Sequence, residues 1–497
     1  MAEQTENEKI QSKSIQGAMG YALRSLLIQG IGFVAVLLLG YYLSPSDFGV
    51  FFSVSAAVNF FTFFSDVGLA SALIQKKEEP TVLELRTTFV IQQLLSWGIF
   101  ALIVVLTPYW KNELHFEAAA LGVMYALGFS FILASFKTIP SILLERKLEF
   151  QKLVMPQIIE NLVFYGVAVY LASQKYGVSS YIYAILARGI IGVILMYSIQ
   201  TWDIGLAFSK EALKTLMRFG VKFQLNDLLA RIKDDLFIVV LARYIPLNQM
   251  GFVSWAKRWS MFPYQLTVNS VMSVTFPTYA RLQHDKALLT KAIEFSLYMI
   301  ALVVFPMIIG MIVVLVPVLN LIPGYAKWLP AATSFYFFGI NIMWAALSTP
   351  LTNTLNAVGE INKTLKLMIM WTSMTWLFTP IFIHFFGFEG VSIASAIIAL
   401  SSVVTVYYVK QIVPIAFVRV VYKQLLAGIC MGAVLFLVRE RWIHSLPQIA
   451  LAGVFGALFY VMLMSLIDRK MLHRNIVLCI PASARSKIND LFPFFQL

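Results

Sequence analysis

Long apolar stretches separated by short polar ones repeat along almost the whole chain. Seven lie at roughly 16–43, 49–74, 83–107, 118–139, 153–173, 178–200 and 217–244. Seven more follow at roughly 250–277, 292–320, 329–356, 361–385, 388–410, 420–438 and 447–467. About 20 helical residues at 1.5 Å each cross the roughly 30 Å hydrocarbon layer, and these stretches have that length. Barrel strands would read instead as alternating segments of about ten residues. The pattern predicts an all-α polytopic membrane protein with about fourteen transmembrane helices.

Composition agrees. Of 497 residues, 59% are hydrophobic and only 13% charged, and a mean hydropathy of +0.79 fits no soluble surface. Residues 1–13 are polar, and the first apolar stretch is longer than a signal-peptide core and lacks a small-residue cleavage site. It is expected to stay in the membrane.

The polar breaks fix an orientation. Alternate loops and both ends carry most of the Lys and Arg, including Lys76, Lys77, Arg86, Arg146, Lys147, Arg218, Lys222, Arg281, Lys363, Lys410 and Arg469. The opposite side has only Lys111, Lys175, Arg243, Lys327, Arg439 and Arg441. Cytoplasmic loops are the positive ones, so both termini are expected in the cytoplasm, and the net charge of +13 needs no nucleic acid partner. The outward loops, such as SPSDFG, SQKYGVSS and PLNQMG, are too short for an external domain.

Catalytic chemistry has little to work with. The two cysteines, Cys430 and Cys479, make no disulfide framework or thiolate metal site. The five histidines are scattered, and no HExxH, phosphate-binding loop or nucleophile elbow occurs. No metal, no cofactor and no enzymatic activity are expected.

The chain repeats itself. LGYYLSPSDFGVF at 39–51 aligns with LARYIPLNQMGFV at 241–253 at an offset of 202, placing Tyr42 on Tyr244 and Gly49 on Gly251. A second echo pairs KYGV at 175–178 with FFGF at 385–388. Spans 1–6 and 7–12 therefore read as two copies in the same orientation, as in parallel-repeat transporters. The expected division is a cytoplasmic N-terminus at 1–15, an N-lobe of helices 1–6 at 16–203, a C-lobe of helices 7–12 at 204–413, helices 13–14 at 414–475 and a cytoplasmic tail at 476–497. For the end of that tail, a disordered segment and an interfacial helix both remain open.

Charges inside the apolar stretches need a reason, since each costs about 2.5 to 3.5 kcal/mol at a bilayer centre on insertion scales. Arg24, Lys137, Arg188, Arg231, Lys233, Lys257 and Arg258 are the cations at that depth, with Asp66, Asp234 and Asp235 as the main anions. The set is net positive, and a cationic, water-filled cavity would suit an anionic group such as phosphate or a uronic sugar. In KFQLNDLLARIKDD, charge surrounds the helix: Lys222 and Lys233 share one face, with Arg231 and Asp235 roughly opposite. Arg231 is placed to pair with Asp235 at i+4 or Asp234 at i+3. Lining a cavity and bracing the bundle stay open for Arg231 and Lys233, and an ordinary helix end competes for Lys222. Arg24 fits either the cavity or snorkelling to headgroups. Asp66 fits structural pairing or binding of a proton or cation. Lys257 and Arg258, between Trp255 and Trp259, fit either the cavity or an interfacial aromatic belt.

Span 1 with Arg24, the turn YYLSPSDFGVF, FFSDVGLASALIQ, DDLFIVVLARYIPLNQMGFVSWA, FPTYARLQHDKALLTKA and LNAVGEINK together resemble the Wzx-type polysaccharide flippases of the multidrug/oligosaccharidyl-lipid/polysaccharide superfamily, nearest the colanic and teichuronic acid exporter branch. The resemblance covers about residues 14–470. It implies a V-shaped pair of six-helix lobes, like that of multidrug and toxin extruders, around a cationic cavity, followed by two further helices. It implies export of undecaprenyl-diphosphate-linked oligosaccharides across the bacterial cytoplasmic membrane by alternating access, without ATP. Membrane lipids, the lipid-linked oligosaccharide, a polysaccharide polymerase and other glycan assembly proteins would be its partners. By the same resemblance Arg24, Arg231 and Lys233 would meet diphosphate or sugar, with Arg188 and Arg258 as further candidates, and Asp66 would serve ion coupling. The turn SPSDFG departs from the family's commoner LGP-type turn. A peptidoglycan-precursor flippase or an antiporter of the same superfamily would share the fold, and a membrane glycan polymerase or ligase would share the lipid carrier.

Overall fold

The computed structural model describes residues 27–66, 68–76, 78–114, 116–214 and 231–479, and the side chains of these except at 63–66, 273, 274, 474 and 476–479. The described residues are mostly helical, with no strand among them. Nine helical runs among them are long and apolar enough to cross a membrane. The chain divides into two compact units, Met1–Ser254 and Trp255–Leu497.

In the first unit the helices are α1 (Leu27–Tyr42), α2 (Pro45–Asp66), α3 (Leu69–Gln75), α4 (Val82–Val105), α5 (Thr107–Asn112), α6 (Ala118–Arg146), α7 (Phe150–Ser173) and α8 (Ser179–Ile199). After residues outside the description, a π-helical turn at Ile232–Leu236 leads into α9 (Phe237–Leu241), and α10 (Leu247–Ser260) ends just past the unit's last residue. Helix α6 is the central element, packed against α2, α4 and α8, while α7 packs on α8.

Local chemistry sets the starts and stops. The SPSD turn is an N-cap: Ser44 Oγ accepts the Asp47 N–H at 3.2 Å, the Asp47 carboxylate accepts the Ser44 N–H at 2.9 Å, and Pro45 takes the first helical position, where no N–H is needed. Thr81 and Glu84 make the same reciprocal cap on α4. The stretch read as one span at 49–74 is two helices, because the chain turns at Gly68 with φ +78°, which favours glycine. The freed carbonyls at the end of α3 are taken up by Arg146, whose guanidinium donates to Leu73, Lys76 and Glu78 oxygens, each at 2.7 Å.

Both sequence echoes carry over into backbone geometry. Helices α2 and α10 start at equivalent positions, Pro45 and Leu247, and they touch reciprocally. A side chain on Gly49 would run into the Leu247 carbonyl, and one on Gly251 into the Pro45 carbonyl. In the second echo, Gly177 and Gly387 both have positive φ, +55° and +59°.

The second unit continues with α11 (Phe262–Leu282), α12 (Lys286–Leu321), a 3-10 turn at Ala326–Ala331, α13 (Ala332–Ala357), α14 (Ile361–Phe386), α15 (Gly390–Leu400), α16 (Val403–Lys410), α17 (Phe417–Trp442), α18 (Leu446–Ile467) and α19 (Arg469–Cys479). The two spans read at 361–385 and 388–410 stay separate: α14 ends at Phe386, the chain turns through the 3-10 segment Gly387–Glu389, and α15 packs against α14, where a side chain on Gly390 would run into the Phe382 carbonyl. Helix α12 packs against α11, α13 and α17, and α17 against α18. Gly428 and Gly432, a GxxxG pair on α17, let Ile309 of α12 approach closely. Lys423 and Asp468 close this region with a 2.6 Å ion pair. The last helix, α19, buries Leu472 and Asn475 and exposes Arg469 and Lys470, and the end of the tail, 480–497, lies outside the described residues.

Candidate functional site

Two groups of charged side chains are built in the first unit. One lies on the π-helical turn. Arg231 donates from Nη1 to the Asn59 carbonyl at 2.7 Å and to Thr62 Oγ1, both on α2, and stands 4.0 Å from Asp235 one turn on. Of the two pairings open from spacing, the i+4 partner Asp235 is the one in reach. Lys233 lies 3.2 Å from its neighbour Asp234. Two cations and two carboxylates thus balance within five consecutive residues, and Arg231 ties the turn to α2.

The other group comes from three separate helices. Lys137 of α6 donates to Glu160 of α7, Nζ to Oε1 at 2.7 Å, and Arg188 of α8 approaches the other carboxylate oxygen at 3.6 Å. Glu160 is almost closed off, with 7% of its side chain exposed, against 19% for Lys137 and 46% for Arg188. The guanidinium also sits over the Phe164 ring, 5.9 Å from its centroid, a position that suits a cation and an aromatic face. Glu160 was missed among the anions at membrane depth. A lone carboxylate in the apolar run PQIIENLVF of span 5 was the signal: it cannot stay charged there unpaired, and Lys137 and Arg188 are single cations in spans 4 and 6 of the same lobe.

The remaining candidates are placed as follows. Arg24 and Lys222 lie outside the described residues, as does the side chain of Asp66. Arg258 is exposed and belongs to the second unit. The aromatic-belt alternative for its neighbours is corrected: Trp255 and Trp259 are buried, and Trp255 stacks on Trp328 with centroids 5.3 Å apart, because α10 turns that face into the unit's own core. Among the described residues no group of three or more His, Cys, Asp or Glu is arranged to hold a metal ion.

A family model described as "Polysaccharide biosynthesis protein" matches residues 38–333. The succinoglycan biosynthesis transport protein ExoT of Rhizobium meliloti (strain 1021) is 22% identical over 482 residues, covering 94% of this chain and 95% of that protein. The lipopolysaccharide biosynthesis protein WzxC of Escherichia coli (strain K12) is 22% identical over 414 residues, covering 80% of this chain and 81% of that one. Among solved structures, the lipid II flippase MurJ in an inward closed conformation shares the fold, with a TM-score of 0.73 at 15% identity over 92% of this chain and all of that one. The likeness to Wzx-type proteins read from the sequence is met by these relatives.

Proposed function

The chain belongs to the polysaccharide biosynthesis protein family, whose model spans more than half of it, and from that premise we propose that it is a flippase for undecaprenyl-diphosphate-linked oligosaccharide units. It carries them across the bacterial cytoplasmic membrane by alternating access, for polymerisation into a surface polysaccharide. Both termini face the cytoplasm, and a polysaccharide polymerase takes up the units on the far side. The observation that carries this reading is the near full-length kinship with relatives named for polysaccharide biosynthesis and transport, in a chain whose apolar helices hold surplus cations.

The physical task fits those cations. A diphosphate cannot cross hydrocarbon unaccompanied, and guanidinium groups bind oxyanions with paired, directional hydrogen bonds. Arg24, Arg188, Arg231, Lys233 and Arg258 are assigned to this role, and Asp66, Asp234 and Asp235 to ion coupling or to bracing.

The test is deletion of the gene in its host, with mass spectrometry of lipid-linked repeat units and assay of surface polysaccharide, followed by restoration with wild type or Arg24→Ala. Intact lipid-linked units accumulate on the cytoplasmic side, and wild type alone relieves them. Normal surface glycan in the deletion strain would overturn the reading. The fold shared with a lipid II flippase favours a second reading, a peptidoglycan-precursor flippase, for which the same spectra would show lipid II accumulating instead.

A further inference from the structure

Glu160 serves two cations unequally. The hydrogen bond goes to Lys137, and Arg188 is held more loosely at 3.6 Å. With one carboxylate between two cations, the cluster keeps one positive charge, and that charge sits on the half-exposed member. The tight pair needs room of its own: a methyl group at Gly192, one turn beyond Arg188 on α8, would strike both the Glu160 carboxylate and the Lys137 ammonium.

The exposed side of Arg188 is not the lipid-facing side of its helix. The large exposed apolar residues of α8, Tyr183, Ile190 and Ile194, project roughly opposite Arg188 at 100° per residue. On α7, exposed Met155 and Leu162 likewise project roughly opposite Glu160. Such ridges suit lipid, which leaves Arg188 turned away from it, its side chain half-exposed although its neighbours on that face, Tyr181, Ala184, Ile185 and Gly192, are buried.

We propose that Arg188 is an oxyanion receptor for a phosphate or carboxylate group of the translocated glycolipid, and that Glu160 and Lys137 are positioning residues that set how firmly Arg188 is held. This rests on the reading of the protein as a glycolipid flippase. Lys137 neutralises most of Glu160, so the carboxylate steers Arg188 over Phe164 without consuming its charge. An arriving oxyanion takes the guanidinium, and Glu160 remains with Lys137. The buried carboxylate is thus an internal competitor whose strength Lys137 tunes.

The purified full-length protein in detergent is titrated with undecaprenyl diphosphate and, separately, with glucuronate. Arg188→Gln is expected to weaken binding about tenfold or more, as for loss of a charged hydrogen-bond partner. Glu160→Gln, which keeps an acceptor for Lys137 but removes the competing charge, tightens it several-fold. Lys137→Met turns the full carboxylate on Arg188 and weakens it, and Lys137→Arg restores wild-type affinity. A merely structural role would not give Glu160→Gln and Lys137→Met opposite signs. If Glu160→Gln does not fold, the double variant Lys137→Met with Glu160→Gln keeps the test, since it too frees Arg188 and tightens binding. A response to the diphosphate lipid alone assigns the headgroup, and one to glucuronate alone assigns an acidic sugar. Effects of one sign, or an Arg188→Gln variant that binds both probes as wild type does, overturn the proposal. If the deletion strain exports normal glycan while the opposite signs persist, the transport reading falls and the receptor stands.

Discussion

The two charged groups of the first unit solve one problem in opposite ways. On the π-helical turn, Arg231, Lys233, Asp234 and Asp235 balance one another within five residues, at the head of the apolar helix α9. In the α6–α7–α8 cluster, each helix brings one charge to the group, and neutrality is approached only when the three pack together. Local balance survives partial unfolding. Balance assembled from three helices is lost with the packing that creates it, so the second group binds fold and charge into one event. That difference shows where surplus charge can be kept for a ligand: among parts that must be assembled, one cation more than the carboxylates can be built in.

The comparison breaks most sharply at Glu160. Glu160→Leu leaves Lys137 and Arg188 without their anion, and a loss of about 3 to 5 kcal/mol is expected, read as a large drop in the unfolding midpoint in detergent. Adding Lys137→Met to that variant should recover most of the loss, and failure to recover would show that the pair is not the cause. Gly192→Ala forces a methyl group onto the same pair and is expected to cost about 1 to 3 kcal/mol in the same assay. On the turn, Arg231→Ala removes the tie to α2 but leaves Asp235 with water nearby, so about 1 to 2 kcal/mol is expected. Combined with Lys233→Ala it should reduce export while insertion persists, and wild-type export from that double variant would remove the turn from the cargo path. The smallest effect belongs to Asp234→Asn: with 55% of that side chain exposed, its pairing with Lys233 is worth less than about 1 kcal/mol, and the midpoint should hardly move.

What could be read ahead of the structure followed physical range. Helices were legible because apolar length alone specifies them in a bilayer, and so were the two candidate partners of Arg231, Asp234 at i+3 and Asp235 at i+4, because helical spacing sets them; the choice between them was not. The break at Gly68 was less so, since glycine occurs freely inside membrane helices and only its positive φ marks the turn. Glu160 was hidden for a different reason: its partners are 23 and 28 residues away in chain positions 137 and 188, so no local window contains the pair. The same holds for Gly428 and Gly432, whose meaning lies in Ile309 on another helix.

The reciprocal contact of Gly49 and Gly251 has a consequence for biogenesis. The ribosome completes α2 long before α10 exists, since the two glycines are separated by 202 residues. Contacts of such long range form late, so the start of α2 must wait in the membrane with its side-chain-free notch uncovered while the intervening helices are inserted. The first unit is therefore not finished when its own long helices are: it is sealed only by the start of α10, which makes emergence of residues 247–254 from the ribosome the event that completes it.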